Sequence, residues 1–206
     1  MMTAPLEAKA RARRLPAEER KRQILDAAVR VFARLGFTGT GTADIAREAG
    51  IGEPTIYRYY ANKRDLYLAA IRRVSDSIRE HWQQIADEEA DALAALRRIG
   101  IWYFQELSER PELLALRSRS FMELHDEEVA AVVREDYRSL VMFARGLFER
   151  AQSDGQLGPD VDIDSTTWMF VAVGALLDQT QMLGVRDLLP PEQVIKLALM
   201  IQPIGQ

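Results

Sequence analysis

The apolar residues near the start of the chain recur every three or four positions. Ile24, Leu25, Ala28, Val31, Phe32 and Leu35 fall on one face of a helix. Pro16 at a first helical position, with Glu18 and Glu19 near the positive end of the helix dipole, predicts where that helix opens, and Gly36 where it ends. A second, two-turn helix is predicted over 42–49, with Thr42 as its cap, Asp44 in its first turn and Ile45, Ala46 and Ala49 facing inward. Gly50 supplies a tight turn, Gly52 caps a third helix over 53–60, and Pro54 sits in its first turn, where a missing backbone donor is harmless. Asn62, with Asp65 three residues on, starts a long helix reaching about residue 89 on a spine of Leu66, Ala69, Ala70, Val74 and Ile78. At about 1.5 Å per residue it spans roughly 40 Å, enough to join the head to the rest of the chain as one strut.

Further helices are predicted at about 91–108, 111–124, 127–152, 163–184 and 191–202, with breaks at Pro111, Gly155–Pro159 and Pro190–Pro191. No run alternates polar and apolar residues long enough to nominate a strand, and no segment repeats. The fold class expected is all-α with about nine helices. It divides into a basic N-terminal arm (1–15), a three-helix head (16–62) and a larger helical body (63–206).

Helix, tight glycine turn, helix is the pattern of a helix-turn-helix, whose second helix enters the DNA major groove. The charge distribution points the same way. Residues 1–64 carry 13 Lys and Arg against 7 Asp and Glu, whereas the remainder carries 14 against 24, so a basic head sits on an acidic body although the chain totals −4. Such a protein binds a polyanion in one orientation only. On the third helix Ile56 and Tyr60 have the spacing to face inward, leaving Thr55, Tyr57, Arg58 and Tyr59 outward. Hydroxyls, phenols and a guanidinium there, with Lys63 behind them, suit phosphate and base edges.

Residues 20–70 resemble the DNA-binding head of the TetR family of bacterial transcriptional repressors. RKRQILDAAVRVFARLGF, TADIAREAGI and above all PTIYRYYANKRDL carry the resemblance. It implies that Thr42, Tyr57, Tyr59 and Lys63 contact phosphate and that Glu53, Pro54, Thr55 and Arg58 lie at or near base edges. Gly52 stands where many relatives have a hydroxyl-bearing cap, and Ala43 where some place a basic side chain, which shifts readout toward the third helix and the arm. The arm, with Lys9, Arg11, Arg13 and Arg14, is suited either to entering the adjacent minor groove or to serving as a solubilising tail. The resemblance further implies a body that dimerises and encloses a small-molecule pocket, ligand binding changing the spacing of the two heads.

Dimerisation also follows from physical grounds, because one short recognition helix gives too few base contacts for useful specificity. A symmetric dimer reading a palindromic operator is the expected solution. The helix STTWMFVAVGALLDQTQMLG is apolar nearly all round, more than one buried face requires. With PEQVIKLALMI it is the expected dimer surface, through Trp168, Val171, Ala175, Leu176, Gln179, Ile195 and Leu199. For an apolar or aromatic effector the candidate lining is Trp102, Phe121, Met122, Tyr137 and Phe143, with Gln105 and Arg117 as polar orienters.

The remaining chemistry is sparse. The 48% hydrophobic and 28% charged composition is that of a globular chain, and there is no cysteine, so disulfides, thiolate metal sites and cysteine nucleophiles are excluded. Asp160, Asp162 and Asp164 begin like a calcium loop, but Ser165 and Val171 stand where Gly and Glu are needed. His81 and His125 lie on different helices without metal spacing. No catalytic residue, metal or cofactor is expected, and with no signal segment or run of about 18 apolar residues the protein is expected in the cytoplasm, off the membrane. Two other readings stay open: a DNA-binding regulator whose body only dimerises or docks a protein, and, more remotely, an all-α small-molecule enzyme.

Overall fold

The structure, a computed structural model, describes residues 16–109 and 111–200. The basic arm therefore lies outside the described residues. Among the described residues nine α-helices follow one another: α1 (Ala17–Gly39), α2 (Thr42–Glu48), α3 (Glu53–Ile56), α4 (Lys63–Glu88), α5 (Ala92–Glu109), α6 (Pro111–Met122), α7 (Glu127–Ser153), α8 (Ile163–Leu183) and α9 (Pro191–Met200), with a 3-10 turn at Arg186–Leu188 before the last. No strand occurs among the described residues. The all-α expectation holds, and most boundaries fall within a residue or two of those read from the apolar pattern.

In the head, Ile24, Ala27, Ala28, Val31 and Phe32 of α1 are buried against Ile45 and Ala46 of α2, Ile56 of α3 and Leu66, Tyr67 and Ala70 of α4. The Tyr67 ring meets Phe32 edge-on at 4.8 Å and Phe37 at 5.0 Å, an aromatic cluster that locks α4 to the end of α1. Gly36, at φ 69°, breaks the helical path of α1 as its sequence position predicts. Gly50, at φ 63°, lets the chain reverse after α2, a left-handed conformation that any side chain would strain.

Two local readings need correction. Gly41, rather than Thr42, is the N-cap of α2, because the Asp44 carboxylate accepts from the Gly41 N–H at 3.1 Å. Regular helix in α3 ends at Ile56 rather than Tyr60, and the chain continues in tighter turns, Arg58 N–H to Thr55 O and Tyr59 N–H to Ile56 O. With Asn62 already capping α4 through the Asp65 N–H, too few residues remain for a second regular turn.

The body packs α5, α7 and α8 against the distal half of α4, where Trp82, Phe143, Phe148 and Phe170 form an aromatic core. Helix α6 does something the sequence did not announce: it packs along α1 of the head as well as against α4, α5, α7 and α8. The body thus touches the head through two elements, the α4 strut and α6. Polar ties reinforce this junction, with Tyr67 donating to Glu123 at 2.6 Å and Arg64 paired with Asp126 and Glu128 at the start of α7. The Arg64 guanidinium and the Val129 N–H hold the Asp126 carboxyl below its usual range.

Candidate DNA-binding face and body cavity

The end of the head is built from the start of α2 and the α3 segment. Ile56 and Tyr60 are buried as the spacing predicts, which fixes the rotation of α3. Pro54, Tyr57 and Arg58 are exposed, Thr55 and Glu53 partly so. Thr42, freed from capping, donates its hydroxyl to the Glu53 carboxylate and lies 3.0 Å from the Tyr57 hydroxyl, which is left to donate to it. This triad ties the two helices of the motif together and holds the 51%-exposed Tyr57 ring in place before any ligand arrives. Its electrostatics are set by pairing: Arg47 is bound to Asp44, and Arg30 and Arg34 to Glu48, whose carboxyl they hold below its usual range. Arg58 has no ion-pair partner among the described residues, so its charge is free for a phosphate or a guanine edge.

Tyr59 sits differently from the outward placement expected of it, and the Lys63 charge, expected to serve phosphate, is engaged within the head. Tyr59 is half-buried and packs against the head core. Lys63 donates to the carbonyls of Phe37 and Thr40, each at 2.9 Å, and lies 4.5 Å from the centre of the Phe37 ring. Its charge closes the carbonyl end of α1, a cap for groups that no intrahelical donor reaches. A third ammonium proton remains for a phosphate.

The body encloses a cavity of about 870 Å³ between α4, α5, α6, α7, α8 and α9, near the upper end of the size of small-molecule sites. Of the residues named from the sequence, Gln105, Arg117, Phe121 and Tyr137 line it. Trp102, Met122 and Phe143 are not among its walls. Trp102 stacks on His81 with ring centres 4.3 Å apart, Met122 is 72% exposed at the end of α6, and Phe143 packs against Trp82 within the core. Spacing gives the face of a helix but not which face meets a void and which a neighbour.

The sequence did not reveal the polar centre of the cavity. Tyr103 donates to Asp178 at 2.5 Å, and Arg117 donates to the Tyr103 oxygen at 2.9 Å while pairing with Asp178. This joins α5, α6 and α8 through one buried cluster. Burial pushes the Tyr103 phenol up; it pulls Arg117 down, but Tyr103 and Asp178 outweigh that and hold the guanidinium above its usual range. An aspartate directly after the apolar FVAVGALL run of α8 was the available signal.

Along α8, Trp168, Ala175, Leu176 and Gln179 are exposed and Val171 is half-buried. Met182 and Leu183, 51% and 66% exposed, extend the same stripe. The side chains of Ile195 and Leu199 lie outside the described residues. At the start of α8, Asp162 accepts from the backbone N–H groups of Asp164 and Ser165 and caps the helix, so the alternating aspartates serve a helix end. No helix among the described residues is long and apolar enough to cross a membrane.

Comparison with known proteins follows the division between head and body. Residues 24–70 match the family model described as bacterial regulatory proteins, tetR family. A stretch of 68 residues is 40% identical to the HTH-type transcriptional activator FasR of Mycolicibacterium smegmatis, covering 33% of this chain and 31% of FasR. Over 176 residues the chain is 30% identical to the probable HTH-type transcriptional regulator ArpR of Pseudomonas putida, covering 78% of this chain and 80% of that protein. The crystal structure of the transcriptional regulator FadR from Bacillus subtilis in complex with stearoyl-CoA superposes with a TM-score of 0.70 at 21% identity, over 90% of this chain and 99% of that one, a likeness of fold. The family match falls on the helix-turn-helix and the ArpR match extends through most of the body; the chain belongs to the TetR family of bacterial transcriptional regulators.

Proposed function

We propose that the chain is a ligand-responsive, dimeric repressor that reads a palindromic operator in the cytoplasm and is released by an apolar effector held in the body. In this reading residues 16–62 are the DNA-binding domain and 63–206 the effector-binding and dimerisation domain. Thr42 and Tyr57 turn their hydroxyls from the Glu53 triad to phosphates on binding, Tyr59 and Lys63 meet phosphates beside them, and Glu53, Pro54, Thr55 and Arg58 lie at base edges. No catalytic role is assigned, in keeping with relatives that are regulators.

The observation that carries the proposal is the double role of α6. Arg117 and Phe121 of this helix line the cavity, and the helix packs along α1 of the head. Packed interfaces shift between arrangements rather than deform continuously, so a ligand wedged against α6 displaces the head it supports. Two heads reading half-sites about 34 Å apart lose register when their separation changes. An open cavity of this volume also favours a ligand-binding body over one that only dimerises. That FadR, of the same fold, was crystallised with stearoyl-CoA supports the capacity of such a body to enclose a long apolar ligand.

The dimer rests on the exposed apolar stripe of α8, too long to leave in water. Sedimentation at micromolar concentration is expected to give twice the 23.4 kDa chain mass for the native protein. Leu176→Asp combined with Leu183→Asp, neither of which lines the cavity, is expected to give the single-chain mass with helicity unchanged, and to lose binding to a two-half-site duplex. A native protein that sediments as one chain would remove the dimer from the account.

A further inference from the structure

We propose that the effector is a long-chain amphiphile whose apolar chain fills the cavity and whose anionic head is held outside it by Arg134 and Arg138. The inference rests on the reading of the body as an effector site and names the chemistry that site selects.

The interior is unsuited to an ionised group. Its walls are mostly apolar, with Ile99, Leu140 and Leu177 buried, and its buried charged cluster, Arg117 with Asp178, is neutral in sum; the other charged groups on its lining, Arg97, Arg134 and Arg138, are exposed at its edge. The charge of Arg117 is already balanced by Asp178. A second carboxylate or phosphate inside would be a buried charge without a counterion. The buried part of the ligand is therefore uncharged.

The outer edge has the opposite character. Arg134 and Arg138 are exposed, lie one turn apart on α7, and line both the cavity and an adjoining surface groove of about 570 Å³ that also includes Ala131, Glu135 and Ser139. Like charges at this spacing repel. Neither arginine has an ion-pair partner among the described residues, although the body is rich in carboxylates and pairs Arg64, Arg98, Arg117 and Arg145 with them. Even with Glu135 counted, the groove keeps one net positive charge. Two guanidiniums beside an apolar opening are matched to carboxylate or phosphate oxygens.

Free fatty carboxylates and phosphorylated acyl thioesters share this chemistry, and the test separates them. The full chain is titrated with dodecanol, dodecanoate and dodecanoyl-coenzyme A below their micellar concentrations, following tryptophan fluorescence, since Trp82 lines the cavity. At low salt at least one anion is expected to bind about tenfold or more tighter than the alcohol, as charge-assisted bonds require. Arg134→Gln with Arg138→Gln is expected to bring that anion to the affinity of the alcohol and to leave the alcohol unchanged. A gain for dodecanoate assigns the site to carboxylates, and a gain for the thioester alone assigns it to phosphates. Equal binding of all three, or equal weakening of all three by the double variant, overturns the proposal while leaving an apolar effector site in place. Failure of all three to bind, the alcohol included, overturns the proposal and the effector-site reading together.

Discussion

Asp178→Ala is expected to destabilise the protein by about 3–5 kcal/mol, the cost of leaving a buried guanidinium without its counterion. Asp178 accepts from Tyr103 and pairs with Arg117, both largely buried, so its removal strands a charge and a phenol in an apolar cavity wall. The damage arises from the stranded charge rather than from the value of the pair. Arg117→Leu combined with Asp178→Leu should therefore recover much of the loss, as buried ion pairs replaced by apolar residues commonly do. Denaturant midpoints of Asp178→Ala, of Arg117→Leu and Asp178→Leu each alone, and of the double variant measure this directly. A single variant within about 1 kcal/mol of the native protein would mean that water or a local rearrangement already satisfies Arg117. Because the cluster bridges α5, α6 and α8, the double variant should also loosen the hold on α6. Effector binding and DNA binding should then become less strongly coupled, even where stability is regained.

The largest effects on DNA binding are expected from two neighbouring cations that act by different means. Arg58 is exposed, without an ion-pair partner among the described residues, and part of no core. Arg58→Ala should leave stability unchanged and cost about 1–3 kcal/mol of operator affinity, concentrated at one base position of each half-site. Lys63 caps α1 through the carbonyls of Phe37 and Thr40. Lys63→Ala should weaken binding to every sequence alike and also lower the stability of the head, by about 1–3 kcal/mol for acceptors left unsatisfied. Binding measured against the native site and single-base variants, beside thermal unfolding of each protein, separates the two roles. A uniform loss for Arg58→Ala would remove its base-reading role; a Lys63→Ala protein as stable as the native one would return Lys63 to a purely phosphate-facing role.

Much of this arrangement is legible in the residues, for physical reasons that also explain where reading stops. Helix periodicity and Gly and Pro punctuation are local, so α1 to α9 and the inward turn of Ile56 and Tyr60 can be placed from spacing alone. What depends on partners distant in sequence cannot. Lys63 stands in the right motif position, yet its ammonium is claimed by α1 carbonyls 23 and 26 residues away. Thr42 has the side chain of a cap, but Asp44 takes the Gly41 N–H and frees the Thr42 hydroxyl for Glu53. Trp102 and Phe143 are the right residue types for a ligand wall and stack instead on His81 and Trp82. The contact of α6 with α1, on which the regulatory proposal depends, leaves no periodic trace because α6 buries Ser118 and Ser120 along with Leu114 and Leu116, so its buried face is not marked by apolar residues.

Symmetric reading of one DNA site by two heads is the core of the proposed function. It is tested most directly by selecting bound duplexes from a random pool with the purified full chain, at near-physiological salt. A symmetric dimer bearing Arg58 and Tyr57 on each head predicts a single enriched palindrome. Its affinity should fall steeply as salt rises, because the contacts displace counterions from phosphate. Enrichment of no motif, or of a lone half-site without a symmetric partner, would contradict the account.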